Sequence, residues 1–449
     1  MEQTPKLNYK KTLLIGLAFM SICAFWQLYD ALIPLILRDT FGFKDTFSGV
    51  IMSLDNVIAL FLLPLLGSLS DKVDTKIGKR MPFILGGTAV AVVAMTFLPI
   101  IDNSYFTSGT AFLRYAFIGV LLVTLLAMAS YRSPAVALMP DLTVKPLRSK
   151  ANAIINLMGA VGGIIYLVLN TFMYSKAKTE GLDHINYFPI FLIIALIMAI
   201  SVIVLFITIK EKKEIVAVEE YDAAHPEEDL SEKDENNNTF LPKDVKKSLA
   251  FILCSIALWF MGYNAITTSF TKYATQEWGM APGGASLCLT IATAGAIVSY
   301  IPIGILASKF GRKRTIMTGI ILLASCFAAG GIYTAFASEF SPVLYVLFVL
   351  IGFAWAAINV NSLPMVVEMC RGSDVGKFTG LYYTFSMSAQ IVTPILSGFL
   401  LEKVGYFTLF PYGALFVAFS FITMIFVRHG DSRPDAKQAA LDAVASGDD

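Results

Sequence analysis

Twelve stretches of this chain stay apolar for roughly 20 residues or more, the length an α-helix needs to cross the hydrocarbon core of a bilayer. They fall at 12–37, 46–70, 82–101, 112–139, 151–173, 187–209, 248–271, 283–308, 315–336, 342–366, 375–400 and 405–428. Lipid offers no hydrogen bonds to the backbone, so a spanning segment must satisfy its own N–H and C=O groups, and an α-helix does so. The expected fold class is an all-α membrane protein with twelve transmembrane helices. Composition agrees, because only 15% of the 449 residues are charged against about 25% in ordinary soluble domains. A net charge of +1 gives no basis for nucleic-acid binding. The first run is too long for a signal-peptide core and lacks a small-residue cleavage site, so it reads as an uncleaved first span.

The polar segments set the organisation. Residues 211–247 include EEYDAAHPEEDLSEKDENNN, which is acidic and nearly free of aromatics. That composition reads as a flexible linker between a six-helix half at 1–210 and another at 248–428. Residues 429–449 read as a polar tail. Lys and Arg gather at the N-terminus and in the loops after spans two, four, eight and ten. The expectation is a multi-pass protein of the cell membrane with these loops, the linker and both termini in the cytoplasm.

The halves repeat one another. Span one reads AFWQLYDAL and span seven ALWFMGYNAI, so Asp30 matches Asn264. The loop after span two carries GSLSDK then GKR, and the loop after span eight GILASK then GRKR. Span four ends in PAVALMPDL and span ten in NSLPMVVEM, so Asp141 matches Glu368. Such internal symmetry at nearly constant separation is the pattern of parallel repeats in transporters.

Two charges stand inside spans, Asp30 in the first and Arg132 in the fourth. A charge at mid-membrane costs at least about 2.5–3.5 kcal/mol, so it is expected to have a partner or to line a wet path. Burial raises a carboxyl pKa and a nearby cation lowers it, so the sequence leaves the net value of Asp30 open. Asp55, followed by Asn56, is a third candidate for cation work. Aromatic and polar residues recur at helical spacing: Trp26 with Asp30, Trp259 with Tyr263, Trp355 with Asn359. Residues four apart share a face. Gly159, Gly162 and Gly163 suit close helix packing and are expected where span five slides against the other half.

Gly67-Ser68-Leu69-Ser70-Asp71, followed by Gly78-Lys79-Arg80, resembles the loop 2–3 signature of the major facilitator superfamily. Here six residues, Lys72 to Ile77, separate the acid from the next glycine. That spacing is similar to sucrose/proton symporters and to glycoside–pentoside–hexuronide cation symporters. Pro134-Ala135-Val136-Ala137-Leu138-Met139-Pro140-Asp141 and Ala151-Asn152-Ala153 add to the likeness with the sucrose group. The resemblance covers residues 20–165. It does not carry over the coupling residues of those families, whose positions match Val136, Leu125, Ala59 and Leu63 here.

The resemblance implies two six-helix halves working by alternating access, with spans one, four, seven and ten facing the solute. On that basis Trp26, Gln27, Tyr131, Trp259, Tyr263, Asn264, Trp355 and Asn359 are expected to bind substrate. Asp30, Arg132 and Asp55 are expected to couple a cation. Gly67, Asp71, Gly78, Lys79, Arg80, Asp141, Gly304, Gly311, Arg312 and Glu368 are expected to gate, with Asp141 and Glu368 pairing with the basic residues that follow them (Lys145 and Arg148; Arg371 and Lys377). The expected function is proton-coupled symport of a sugar or glycoside by a functional monomer, sodium being the other candidate cation. Alternatives are carriage of amphipathic, lipid-like solutes and a non-transporting solute sensor. No Walker motif, metal cluster or CxxC is present in the sequence, so no cofactor or metal is expected, and no HExxH or GxSxG suggests an enzyme.

Overall fold

The computed structural model describes residues 7–144, 147–224, 242–337, 339–369 and 375–431. Among them, twelve helices are long and apolar enough to cross a membrane. In chain order the helices are α1 (Tyr9–Leu35), α2 (Asp45–Lys72), α3 (Met81–Ser108), α4 (Ala111–Asp141), α5 (Arg148–Met173), the short α6 (Lys176–Thr179), α7 (Phe188–Thr208), α8 (Glu211–Ala224), α9 (Lys243–Glu277), α10 (Pro282–Phe310), α11 (Arg312–Phe336), α12 (Leu344–Val367), α13 (Val375–Lys403) and α14 (Leu409–Ile425). The spans are all of these except α6 and α8.

Local chemistry marks the ends. Asn8 starts α1 by accepting a hydrogen bond from the Lys11 N–H at 3.1 Å, satisfying one of the orphan donors of the first turn. Pro34 lies inside α1 and cannot donate to the carbonyl four residues back, which is that of Asp30. The helix then widens into a single π-helical segment, Ile36–Thr40. Such a bulge is the usual accommodation of a disturbed ladder. Gly109, in the left-handed region with φ +63°, closes α3.

Residues 211–224 differ from the flexible linker expected of them. They form α8, because EKKEIVAVEEYDAA is built mostly from good helix formers and has Glu211 and Glu214 at the favourable N-terminal end. Lys212 Nζ meets Asp74 Oδ1 at 2.9 Å, and Lys11 pairs with Glu214, so the helix is tied down by charge. At the other end of the expected linker, α9 starts already at Lys243. Residues 225–241 and the tail from 432 onward lie outside the described residues.

The chain divides into two compact units: Met1–Phe43 with Val57–Asp229, and Lys44–Asn56 with Leu230–Asp449. Each unit uses the same packing scheme. In the first, α1 packs on α4, α5 and α7, and α3 on α4 and α7. In the second, α9 packs on α12, α13 and α14, and α11 on α12 and α14. The internal repeat read from the sequence is thus also a repeat of helix contacts. The side chains left exposed on these helices are largely apolar, among them Phe61, Phe112, Phe172, Val298 and Phe336. That is the surface a helix presents to lipid.

Gly162 and Gly163 of α5 pack against α1 of their own unit. A Cβ built on Gly162 would stand 1.9 Å from the Met20 carbonyl oxygen, and one on Gly163 3.2 Å from Gln27 Cγ. Without side chains at these positions the two backbones approach closely, as small residues allow in membrane helices. At Gly162 and Gly163 the close packing expected of these glycines is with α1 of their own unit. Gly162→Ala is expected to destabilise the protein by about 1–3 kcal/mol, because backbone must move to admit the methyl. Gly119→Ala, where a Cβ meets nothing within 4 Å, is expected to be neutral. Residual monodisperse protein after stepwise heating checks this. Equal losses in both variants would contradict it.

Candidate functional site

In the first unit, α1 places Trp26, Gln27 and Asp30 on one stretch, all partly exposed. The Arg132 guanidinium, from α4, lies 6.0 Å from the Trp26 ring centroid, at the outer limit of a cation–π contact. Tyr29 meets Trp26 edge-on at 5.5 Å and Phe25 meets it edge-on at 5.2 Å, so the indole is held in place. Its N–H finds no acceptor among the described residues. Gln27 sits against Gly163. Asp30 lies within electrostatic reach of Tyr166 of α5, a wholly buried tyrosine whose hydroxyl has no hydrogen-bond partner among the described residues. Sequence reasoning passed over Tyr166, because an aromatic in an apolar span carries no signal of its own.

Tyr131 takes another role from the one expected. It is fully buried, its hydroxyl bonded to Ser21 Oγ at 2.6 Å and to the Ala18 carbonyl at 3.0 Å. Both partners are on α1, so its polar tip fastens α4 to α1. One position along a helix turns a side chain by about 100°, enough to send Tyr131 inward and leave Arg132 partly exposed.

In the second unit, Tyr263 of α9 and Trp355 of α12 stack face to face, with centroids 3.7 Å apart and planes within 2°. Phe260 abuts the Trp355 edge at 5.3 Å. One residue along from Tyr263, Asn264 has an amide nitrogen with no partner among the described residues. Its backbone carbonyl accepts from Thr268 Oγ1 at 2.7 Å and Thr267 Oγ1 at 3.3 Å. Asn359 is fully buried, with its side-chain oxygen 3.5 Å from Tyr382 Oη and its backbone carbonyl bonded to Ser362. Trp259 is enclosed in the core of this unit, 0% exposed. Trp259 and Asn359 are therefore enclosed while Tyr263 and Asn264 are partly exposed, and Trp259 serves packing where a solute contact was expected. Asp55 is chelated by its neighbour: Asn56 Nδ2 donates to its two oxygens at 2.9 and 3.0 Å.

The loop motif forms a charge cluster around Arg80, which is buried. Its guanidinium bonds Asp71, Ser70, the Gly67 carbonyl at 3.2 Å and Asp141 at 2.9 Å. Lys79 Nζ adds a contact to Asp141 at 3.3 Å. Asp141 is thus held by bases that precede α3. Arg148, expected to pair with it, donates to the Thr143 carbonyl, while Lys145, Arg371 and the side chain of Lys377 lie outside the described residues.

Glu211 was read as linker, and it is buried at the foot of this cluster. Its carboxylate accepts from the backbone N–H groups of Lys79, Arg80 and Met81 at 2.8, 2.8 and 2.9 Å. These are orphan donors at the start of α3, where the helix dipole also favours a negative charge. Gly78 has φ +122°, and a Cβ there would fall 2.2 Å from the Glu211 carboxylate, so only glycine fits. The second unit repeats the device. Arg312 pairs with Glu368, and Asp431 accepts from the Lys313 N–H at 2.8 Å at the start of α11, beside Gly311 with φ +93°. Gly304 is buried within α10. The signal available in the sequence was an acid shortly after the sixth and the twelfth span.

A further buried pair joins the first turn of α2 to α9 within the second unit. Lys272 Nζ contacts Asp45 Oδ1 at 2.7 Å, and Tyr406 Oη donates to Asp45 Oδ2 at 2.7 Å. Glu402 accepts from the Thr46 N–H at 3.1 Å alongside.

A family model described as Major Facilitator Superfamily matches residues 15–281 and 252–446. An uncharacterized MFS-type transporter of Schizosaccharomyces pombe is 28% identical over 174 residues, 37% of this chain and 38% of that protein. The sucrose transport protein SUC3 of Arabidopsis thaliana is 32% identical over 153 residues, 31% of this chain and 25% of its own length. The chain matches well under two thirds of the length of these curated relatives. Among solved structures, the nucleoside transporter NupG superposes with a TM-score of 0.66 at 15% identity, covering 93% of this chain and 100% of that one. The inward-open xylose transporter XylE from Escherichia coli gives 0.68 at 12% identity, covering 94% and 96%. At these identities the likeness is one of fold.

Proposed function

Because the chain belongs to the major facilitator superfamily, and is a multi-pass membrane transporter of a solute and not an enzyme, we propose that it carries a sugar or glycoside by alternating access as a proton symporter. The carrying observation is the Tyr263–Trp355 stack next to Asn264, whose amide nitrogen has no partner among the described residues. A sugar offers a C–H face to an aromatic plate and hydroxyls to an amide. Sites for small solutes combine such apolar surface with a few aimed polar groups. Within the first unit, the indole N–H of Trp26 has no acceptor among the described residues. A relative named for sucrose transport, and structures named for xylose and nucleoside transport, point the same way.

In this reading Asp30 takes up the proton and Arg132 answers its charge, so coupling belongs to the first half and ligand binding mainly to the second. The halves 1–210 and 248–428 move as bodies in a functional monomer of the cell membrane, with both termini cytoplasmic.

The test is uptake of labelled mono- and disaccharides into proteoliposomes under an inward proton gradient, an inward sodium gradient, or none. Wild type is expected to accumulate at least one sugar under the proton gradient. Asp30→Asn is expected to lose accumulation and keep exchange. Trp355→Ala is expected to raise the KM by about tenfold, the size of a lost aromatic contact of about 1.4 kcal/mol. If no sugar moves under any gradient, the substrate reading is wrong, and amphipathic solutes are the next panel. Accumulation driven by sodium alone would replace the proton.

A further inference from the structure

Asp102, near the C-terminal end of α3, is completely buried, and no role in solute handling has fallen to it. Neither of its carboxyl oxygens meets a donor at ordinary hydrogen-bond geometry among the described residues, although the Thr40 side chain faces it. His184, in the segment between α5 and α7, brings Nε2 to 3.5 Å from Asp102 Oδ2 and 2.9 Å from Asn103 Oδ1. Phe106 stacks on the imidazole at 4.5 Å. The same segment is stitched to the end of α3 by Asn103 Nδ2 on Asn186 Oδ1 at 2.8 Å, and internally by Tyr174 Oη on the Asn186 carbonyl at 3.1 Å.

An ionised carboxylate in such a place is costly unless a cation or a proton answers it. Among the described residues, several titratable or charged groups surround the pair. Asp39, from the π-helical segment after α1, is 3.7 Å from Arg38. Tyr187 and Tyr174 come from the segment itself, and burial raises both phenols, so they stay neutral. Arg114, from α4, is bonded to the Phe41 carbonyl and lies over Phe43, and Asp183 is exposed beside His184. Among the described residues His184 alone makes an ion-pair contact with Asp102. Its own burial pushes the imidazole below its ordinary value, so it does not carry a proton unaided at neutral pH.

We propose that Asp102 and His184 form a one-proton site that holds the segment between α5 and α7 on the end of α3, and that loss of the proton releases the segment. With the proton present, either neutral acid meets neutral imidazole or carboxylate meets imidazolium, and both arrangements attract. Without it, a buried carboxylate faces a neutral ring. The held form therefore binds the proton more tightly than the released form, is favoured at low pH, and is lost as pH rises. After α7 the chain crosses to α8, so this site lies on the membrane face opposite α8. It responds to pH there whatever solute is carried and whether or not Asp30 couples.

Hydrogen exchange of residues 174–187 in the full-length protein, between about pH 5 and about pH 9 and corrected for intrinsic rates, tests the proposal. One linked proton changes the held-to-released ratio by up to about tenfold per pH unit. Wild type is expected to show one such loss of protection as pH rises. Asp102→Asn, with no charge to bury, is expected to stay protected throughout. His184→Asn is expected to be less protected than wild type at neutral pH. A flat wild-type profile overturns the proposal, as does an unchanged transition in Asp102→Asn. Should Asp102→Asn fail to fold, the wild-type profile and His184→Asn decide the matter.

Discussion

Lys272→Met is expected to destabilise the protein by about 3–5 kcal/mol, the cost of leaving a buried charge without its partner. The side chains of Lys272 and Asp45 are only 5% and 10% exposed, and the ammonium sits 2.7 Å from the carboxylate. Tyr406 supplies one hydrogen bond to that carboxylate and cannot neutralise it. The double variant Asp45→Asn with Lys272→Met removes both charges and is expected to recover most of the loss, as coupled partners do. The readout is the half-life of the solubilised protein at a fixed elevated temperature, since membrane proteins seldom unfold reversibly. If the double variant is no better than Lys272→Met, the loss comes from packing of the lysine stem and the ion-pair account is wrong.

Arg80→Met is the second large effect. The guanidinium is the common donor for two carboxylates, a serine and a backbone carbonyl. Its loss leaves Asp71 and Asp141 close together with Lys79 as the remaining nearby base. Charged hydrogen bonds are worth about 1.5–3 kcal/mol each, but Asp71 is exposed and Asp141 partly so, which lets water repay part of the loss. A net cost of about 2–4 kcal/mol is expected. Arg80→Lys is expected to recover little of it, because one ammonium cannot span the fork that reaches Asp71 and Asp141 together. Parallel measurement of the same half-life and of solute flux in proteoliposomes checks this. A lysine variant matching wild type in both would show that the position needs only a positive charge.

How much of this was legible beforehand varies by residue. Asp30, Arg132 and Trp26 stood out because a charge or a large aromatic inside a span is conspicuous, and α1 and α4 do bring Arg132 and Trp26 near each other. Tyr131 and Trp259 stood out equally well and are packed away. Sequence shows which residue types lie on a helix, and it does not show which of several neighbouring faces meets another helix. Glu211 was hidden for a different reason. Its partners are backbone N–H groups more than a hundred residues earlier, and backbone groups leave no mark in a sequence.

The twelve helices, their order and the repeat can be read from the chain alone. Those follow from hydrophobic length and from the backbone's need for internal hydrogen bonds in lipid, which are local or nearly local demands. Which polar groups are answered, and by what, follows from how the helices pack. Asp45 finds Lys272, Glu211 finds the start of α3, and Asp102 finds His184. Each of these pairings depends on parts of the chain distant in sequence lying side by side, and a charge buried in such a contact takes its energy from the neighbour that the fold supplies.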